Sequence, residues 1–224
     1  MRVTGNKVSP PRLLVVAGPN GSGKSSIVST TGLLARYQEL LINPDNYARA
    51  AERFIPDLKA RYVFAMNYCD ELRDMLLESK ADFGFETVLS TSGKIEFMKR
   101  AKDSGYVIDL IYVSLENPEL CQKRVEERVK DGGHDVDKEK IRSRYFRSLG
   151  NLCKAVELAD NAEVYDNSGK FPRLILVKKG GKFYACGVEE RPGWVEKHLV
   201  SFISDAVLDM GEFKTSSGDD KTND

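Results

Sequence analysis

The sequence predicts an α/β fold, a three-layer sandwich in which helices cover both faces of a mostly parallel central sheet. Short apolar runs alternate along the chain with longer amphipathic stretches, which is the pattern of βα units wound around such a sheet. The segment GPNGSGKS at 18–25 follows the first apolar run and precedes a stretch that is compatible with a helix. Strand, glycine-rich loop and helix in this order indicate a nucleotide-binding P-loop domain.

Five apolar runs predict the parallel strands, at residues 12–17, 39–43, 82–86, 106–114 and 163–166. Helices are predicted at 24–34, 58–79, 94–102, 118–130, 138–158 and 194–210. After the last parallel strand, the runs RLILVKK and KFYACG flank two glycines and predict a β-hairpin at 173–186, appended to the edge of the sheet. These elements predict one domain at 12–210, with a flexible N-terminus at 1–11 and a disordered tail at 211–224.

Composition argues against several classes of protein. The 34 basic and 34 acidic side chains give a net charge of zero, so there is no overall electrostatic basis for binding nucleic acid or an anionic membrane. The four cysteines include no C-x-x-C pair, so neither a zinc module nor a disulfide framework is indicated, and the reducing cytoplasm is the expected compartment. No apolar run approaches the length of a membrane span or an export signal.

The glycine-rich segment predicts the site of ATP or GTP. Its glycines allow backbone N–H groups to turn inward around a phosphate chain, Lys24 is expected to reach the β- and γ-phosphates, and Ser25 is expected to hold Mg²⁺. Nucleotide contacts are predicted for Gly18, Pro19, Asn20, Gly21, Ser22, Gly23, Lys24, Ser25 and Ser26. The alternative is an ordinary glycine turn between a strand and a helix.

Two carboxylates follow predicted strands at the edge of the sheet where open α/β folds bind ligands. Asp45 comes after the second strand, which ends at Pro44, and is a candidate base for activating a hydroxyl. The alternative is that Asp45 caps the next helix. Glu86 ends the third strand and is expected to coordinate Mg²⁺ through water or to fix a substrate hydroxyl, unless it forms a structural salt bridge. Thr87 and Thr91 follow as hydroxyl groups suited to a polar ligand or to a loop.

A basic stretch at about 118–147 predicts a mobile helical lid. Arg124 and Arg128 lie four residues apart on one predicted helix, further arginines follow on the next helix, and Gly132-Gly133-His134 lies between the two. Guanidinium groups on a lid can neutralise phosphate charge during transfer. Arg128 and His134 are the catalytic candidates, and Arg124 is a candidate for binding substrate. Interleaved acidic residues leave a solvated, ion-paired surface as the alternative.

Five segments taken together, GPNGSGKSS, INPDNYA, FGFETVLS, RVEERVKDGGHDV and EVYDNS, resemble the zeta-toxin family of P-loop kinases, particularly its short branch labelled as predicted ABC-type ATPases. The resemblance spans about residues 12–168. It implies ATP- and Mg²⁺-dependent transfer of the γ-phosphate to the 3′-hydroxyl of the sugar in UDP-N-acetylglucosamine. Because about eleven residues precede the first predicted strand, an antitoxin is expected as a separate protein, if there is one.

The resemblance also implies roles for individual residues. Lys24 and Ser25 match the family's phosphate loop, and Asp45 matches the carboxylate that activates the hydroxyl. Glu86 matches the acidic residue at the end of the third strand, and Arg128 matches the first lid arginine.

The family's second lid arginine has no single counterpart in this chain. Simple spacing puts His134 at that position, whereas Arg142 or Arg144 would require a gap.

Two other functions stay open on the residues alone. The same fold can phosphorylate a nucleoside, an antibiotic or an RNA end, because loops choose the acceptor. A nucleotide-dependent switch or ATPase subunit is the second alternative, although FGFETVLS lacks the long apolar run ending in Asp-Glu that is expected of a transporter ATPase.

Overall fold

The computed structural model describes residues 9–30, 41–130, 136–186 and 191–204. Several predicted features lie outside these ranges: His134 with its two preceding glycines, most of segment 1–11, the tail at 211–224, and the far ends of the helices predicted at 24–34 and 194–210.

Seven strands and seven helices follow one another within the described residues. The strands are β1 Arg12–Ala17, β2 Leu41–Ile42, β3 Phe83–Thr87, β4 Val107–Ser114, β5 Asn161–Asp166, β6 Arg173–Lys179 and β7 Lys182–Ala185. The helices are α1 Lys24–Thr30, α2 Pro44–Ala50, α3 Leu58–Glu78, α4 Ser92–Asp103, α5 Pro118–Lys130, α6 Lys138–Leu158 and α7 Gly193–Ser204. Each predicted strand and helix has a counterpart, and α2 is an addition.

All described strands belong to one sheet, in the order β2-β3-β1-β4-β5-β6-β7. The pairs from β2 to β5 are parallel, whereas β6 pairs antiparallel with β5, and β7 antiparallel with β6. The predicted mostly parallel sheet with a C-terminal hairpin at its edge is therefore confirmed. Because β1 lies between β3 and β4, the loop after β1 lies between the carboxyl ends of two neighbouring strands.

Strand β1 is buried on both sides, as a central strand of a three-layer fold must be. Leu13 and Val15 enter the larger hydrophobic cluster, together with side chains of α4 and α6. Leu14 and Val16 point to the other face and pack in a smaller cluster that includes Ile27 of α1. Burying each such side chain contributes about 1.5–3 kcal/mol of transfer free energy, so β1 is firmly held where the P-loop leaves it.

The hairpin turn between β6 and β7 consists of Gly180 and Gly181. Their φ angles of +58° and +76° lie in the left-handed region, as both central residues of a two-residue type I′ turn require. Since β6 also pairs with β5, the hairpin extends the sheet by two strands and does not stand apart from it.

Helix α2 was not predicted as an element because its seven residues are too few to show a helical period. It begins with Pro44, which lacks an N–H where no helical partner exists for one. The N-cap is Asn43, whose Oδ1 accepts a hydrogen bond from the backbone N–H of Asp45 at 2.9 Å. The alternative that Asp45 caps this helix is therefore wrong, and Asp45 lies inside the first turn.

Candidate nucleotide-binding and phosphotransfer site

The P-loop at 18–25 connects β1 to α1 and packs tightly against its neighbours. Gly18 has a φ of +142°, and a Cβ at this position would collide with the carbonyl oxygen of Val113 in β4. Gly23 has a φ of +87°, and a Cβ there would collide with the side-chain amide of Asn167, after β5. Both positions require glycine, because a side chain would be excluded by sterics and by backbone conformation. The loop is therefore fixed by two strands that follow it in sequence.

Lys24 begins α1 with a buried side chain. Its Nζ donates to the carbonyl oxygens of Gly18 at 2.9 Å and Pro19 at 3.0 Å, and lies 3.7 Å from Oε1 of Glu86. Burial lowers the pKa of Lys24 below its ordinary value, and the nearby charge of Glu86 opposes this shift. Because the ammonium is already desolvated, it can exchange its carbonyl partners for phosphate oxygens at little further cost.

The side chain of Glu86, in β3, bonds Ser25 of α1 and Asn43, the N-cap of α2. Because β3 pairs with β1, and Glu86 lies opposite Val16, its carboxylate reaches the start of α1. Ser25 Oγ donates to Glu86 Oε2 at 3.2 Å, and Asn43 Nδ2 donates to the same oxygen at 3.0 Å. No sequence pattern selected Asn43, whose side chain both caps α2 and bonds Glu86.

Tyr62 of α3 lies within electrostatic range of Asp45 and Arg128. The charges of Asp45 and Arg128 both act on the Tyr62 hydroxyl, with opposite effects on its pKa. Burial, followed by the charge of Asp45, raises the pKa of Tyr62 above its ordinary value. The charges of Arg128 and Asp45 also act on Lys24. Asp45 and Arg128, predicted from distant parts of the sequence, thus both lie within electrostatic range of Lys24. His134 lies outside the described residues.

Asn167, in the loop after β5, holds the P-loop from the other side. Its Nδ2 donates to the carbonyl oxygen of Ser22 at 2.8 Å, and its backbone N–H donates to that of Ser114 at 2.9 Å. Arg124 of α5 donates in turn to the carbonyl oxygen of Asn167 at 2.8 Å. Arg124, predicted to bind substrate, therefore lies beside the P-loop. The segment EVYDNS pointed to this region but not to Asn167 itself.

Two polar side chains of the P-loop have buried atoms without a partner among the described residues. These atoms are Oδ1 of Asn20 and Oγ of Ser22. Buried polar atoms in folded proteins nearly always form hydrogen bonds. Their presence fits a loop that completes its hydrogen bonding with a bound ligand.

The two predicted threonines differ in their surroundings. The carbonyl oxygen of Thr87 accepts a hydrogen bond from Gly18 N–H at 3.2 Å, and its Oγ1 accepts one from Leu89 N–H at 3.0 Å. Thr87 therefore anchors the start of the P-loop to the end of β3. Thr91 precedes α4, is exposed and makes no side-chain capping bond, so its hydroxyl lies open at this edge of the sheet.

The helices predicted to carry the lid are present as α5 and α6, but two arginines of α6 bond to other groups. Arg142 pairs with Glu119 at 2.5 Å, and Arg147 Nε donates to the carbonyl oxygen of Ser143 at 3.4 Å. The first of these contacts is an ion pair of the kind that the alternative, a solvated surface, predicts, whereas the second lies within α6 itself.

Comparison with known families gives the class of protein. The Zeta toxin family model matches residues 3–172, which is most of the chain. The chain therefore belongs to the zeta-toxin family of P-loop kinases. An uncharacterised protein of Haemophilus influenzae is 28% identical over 134 residues, covering 60% of this chain and 92% of that protein.

Solved structures share the fold at low sequence identity. A chain from the complex of AvrRxo1-ORF1 and AvrRxo1-ORF2 with sulphate ions has a TM-score of 0.67 at 18% identity, and the one with ATP has 0.66 at 18%. They match 84% and 90% of this chain, which spans 63% and 65% of their length. A structure from the PezAT toxin–antitoxin system of Streptococcus pneumoniae has a TM-score of 0.52 at 17% identity, covering 75% of this chain and 74% of that one.

The described ranges lack two kinds of feature, a cluster of metal ligands and a membrane-spanning helix. No group of three or more His, Cys, Asp or Glu side chains within them could hold a metal ion unaided. None of the helices in the same ranges has the length and apolar character needed to cross a bilayer.

We expect Asn167→Ala to weaken binding of a non-hydrolysable ATP analogue about fivefold, the equivalent of one hydrogen bond worth about 1 kcal/mol. The reason is that the alanine cannot hold the Ser22 carbonyl and the P-loop backbone in place. Isothermal titration calorimetry measures the affinity. Asn161→Ala is the control, because Asn161 bonds Asp109 near the amino ends of β4 and β5, whereas the P-loop lies at the carboxyl ends of the strands. Equal affinity of the two variants would contradict a role for Asn167 in holding the loop.

Proposed function

We propose that the protein is an ATP-dependent kinase that transfers the γ-phosphate to the sugar 3′-hydroxyl of UDP-N-acetylglucosamine. The observation that carries this proposal is the grouping of Lys24, Ser25 and Glu86 at the P-loop, with the carboxylate of Asp45 close enough for its charge to act on Lys24. Membership of the zeta-toxin family supports a kinase, and the presence of ATP with the AvrRxo1 neighbour supports ATP as its nucleotide. The acceptor rests on the family resemblance alone.

ATP would bind with its phosphates in the P-loop. The loop's backbone N–H groups turn toward the phosphates, and the Lys24 ammonium leaves the carbonyl oxygens of Gly18 and Pro19 for phosphate oxygens. Arg124, beside Gly23, adds a second cation on the nucleotide side. In phosphoryl transfer the protein contributes mainly this positioning of the groups and the neutralisation of their charge.

Mg²⁺ fits the donor atoms beside the P-loop. Ser25 Oγ and the carboxylate of Glu86 are hard oxygen donors in contact with one another, and they would hold the ion together with the substrate phosphates. The absence of a metal cage among the described residues agrees with this, since Mg²⁺ is usually held by one or two carboxylates and the substrate's phosphates. The bound ion would neutralise charge on the β- and γ-phosphates. If Glu86 does not hold the ion, it would hydrogen-bond a hydroxyl of the acceptor. Thr87 and Thr91 are further candidates for binding the acceptor.

Asp45 would act as the general base. The acceptor hydroxyl oxygen forms the new bond to the γ-phosphorus, the bond from that phosphorus to ADP breaks, and the hydroxyl proton passes to the Asp45 carboxylate. The exposed first turn of α2 leaves Asp45 accessible to an acceptor that enters from solvent.

Arg128 would stabilise the charge of the transferring phosphoryl group, since its field already reaches Lys24. A lid formed by 118–147 would bring the second cation, which is His134 by spacing or Arg142 or Arg144 with a gap. Arg142 would have to give up its ion pair with Glu119 for that role.

We propose a separate antitoxin protein as a partner of this kinase. AvrRxo1-ORF1 is found with AvrRxo1-ORF2, and the pneumococcal relative belongs to a toxin–antitoxin system. Both neighbours support a separate partner protein for this chain.

Incubation with ATP, Mg²⁺ and UDP-N-acetylglucosamine tests the proposed reaction. Mass spectrometry should detect a product one phosphate heavier, and nuclear magnetic resonance should assign the phosphate to the sugar 3′-hydroxyl. Lys24→Ala is the control and should abolish transfer while remaining folded, because the lysine neutralises phosphate charge and contributes no apolar packing. Phosphorylation of another acceptor with UDP-N-acetylglucosamine unchanged would contradict the acceptor, and a folded Lys24→Ala variant with near-normal turnover would contradict the P-loop assignment.

Asp45→Asn should lower kcat by about 10²-fold or more and leave the KM for ATP nearly unchanged, because a general base acts on the acceptor proton and not on nucleotide binding. Steady-state kinetics at saturating acceptor measure this effect. Asp103→Asn, an exposed change at the far end of α4, serves as the control. Normal kcat per folded molecule in the Asp45→Asn variant would rule out the base.

A further inference from the structure

We infer that Asp166 is a positioning residue for nucleotide binding: its buried carboxylate fixes the loop from which Asn167 holds the P-loop. Through Asp166 the C-terminal hairpin and α7 become part of the support of the ATP site, although both come after the last parallel strand. This inference rests on the ATP binding in the proposed function and is independent of the acceptor.

Asp166 is the last residue of β5, and its side chain is fully buried. A buried carboxylate is costly unless donors meet it. Arg173 Nη2 donates to Oδ2 at 2.8 Å, and Ser168 Oγ donates to Oδ1 at 2.7 Å. Trp194 Nε1 donates to Oδ1 over a longer distance of 3.4 Å. The carboxylate therefore bonds β6, the loop after β5, and α7.

The fold places these donors through the antiparallel extension of the sheet. Arg173 lies directly opposite Asp166 in the register of β5 and β6, where facing side chains are neighbours. Trp194 lies in the first turn of α7 and is buried in the large hydrophobic cluster. The hairpin and α7 therefore each supply one donor to the carboxylate.

The residues on either side of Asn167 are held by this carboxylate. Asp166 precedes Asn167, Ser168 follows it, and the bond between their side chains closes the loop around it. The Ser168 hydroxyl also accepts a hydrogen bond from the backbone N–H of Glu116 at 2.7 Å, which ties the loop to the segment after β4. With both neighbours restrained, the Asn167 side chain is preorganised to donate to the carbonyl oxygen of Ser22 in the P-loop.

A carboxylate is needed at position 166 because its two oxygens accept from two donor-only groups. Guanidinium and indole N–H groups cannot accept hydrogen bonds, and they contact different oxygens of Asp166. In Asp166→Asn the amide NH₂ would face either Arg173 or Trp194, so one of these contacts would be lost. Since asparagine has nearly the same size, the substitution leaves no cavity.

A double-mutant cycle, measured by calorimetric titration with a non-hydrolysable ATP analogue, tests the inference. Asp166→Asn should weaken binding about threefold, because the loop that supports the P-loop is less well fixed. In the Asn167→Ala background the same change should cause no further loss, because Asp166 acts through Asn167. A change that only destabilised the fold would not depend in this way on Asn167.

Asp109→Asn is the matched control. Asp109 likewise accepts from an arginine, Arg12, and from a second donor, Asn161, but it does so near the amino ends of β4 and β5. This control should leave the affinity for the analogue unchanged.

Arg173→Gln is a second variant, which decides the matter if Asp166→Asn does not fold. The Arg173 side chain is 46% exposed, so its replacement disturbs packing little. Because it removes the cation that faces Asp166, it should also weaken binding of the analogue, and again only when Asn167 is present.

The outcomes separate this inference from the proposed function. Native affinity in the folded Asp166 or Arg173 variants, the same loss with and without Asn167, or an equal loss in Asp109→Asn would overturn the inference and leave ATP binding intact. If the native protein does not bind the analogue, the nucleotide step of the proposed function fails, and the inference fails with it.

Discussion

The parallel pairing of β1 with β3 is the constraint on which the site depends, because it brings the Glu86 carboxylate beside the buried ammonium of Lys24. A buried unpaired lysine would cost several kcal/mol or lose its proton. Glu86 reduces that cost and also accepts a hydrogen bond from the hydroxyl of Ser25. A one-residue shift of register would turn Glu86 to the opposite face of the sheet and remove both contacts.

The rest of the site follows from the strands around β1. Gly18 bonds Thr87 at the end of β3 and packs against Val113 of β4, while Asn167 reaches the loop from the end of β5. The phosphate loop thus follows β1 and contacts the ends of β3, β4 and β5. The proposed base, Asp45, is exposed and is carried instead by α2, which packs against α3. A fixed nucleotide side and a separately supported acceptor side match the division of work in a kinase.

Local patterns in the sequence predicted the fold and part of the site. The bounds of β1, α5 and α6 agree with the prediction, because each has a clear apolar run or helical period between strong end signals. Asp45 and Glu86 could be selected because polar residues after buried strands are informative. The side chains of Asn43 and Asn167 could not, since each acts through a contact with a residue that is distant in the sequence. The lid was predicted as one basic group, but Arg124 of α5 bonds Asn167 beside the P-loop and Arg142 pairs with Glu119.

The central claim is that Glu86, Ser25 and Lys24 form one site for Mg²⁺ and ATP, and calorimetric titration of ATP with and without Mg²⁺ tests it most directly. In the native protein Mg²⁺ should strengthen ATP binding, because the ion joins the phosphates to Ser25 and Glu86. In Glu86→Gln this gain should be lost, while binding without Mg²⁺ should become tighter, because a negative charge no longer faces the phosphates. The same gain from Mg²⁺ in both proteins would contradict the account.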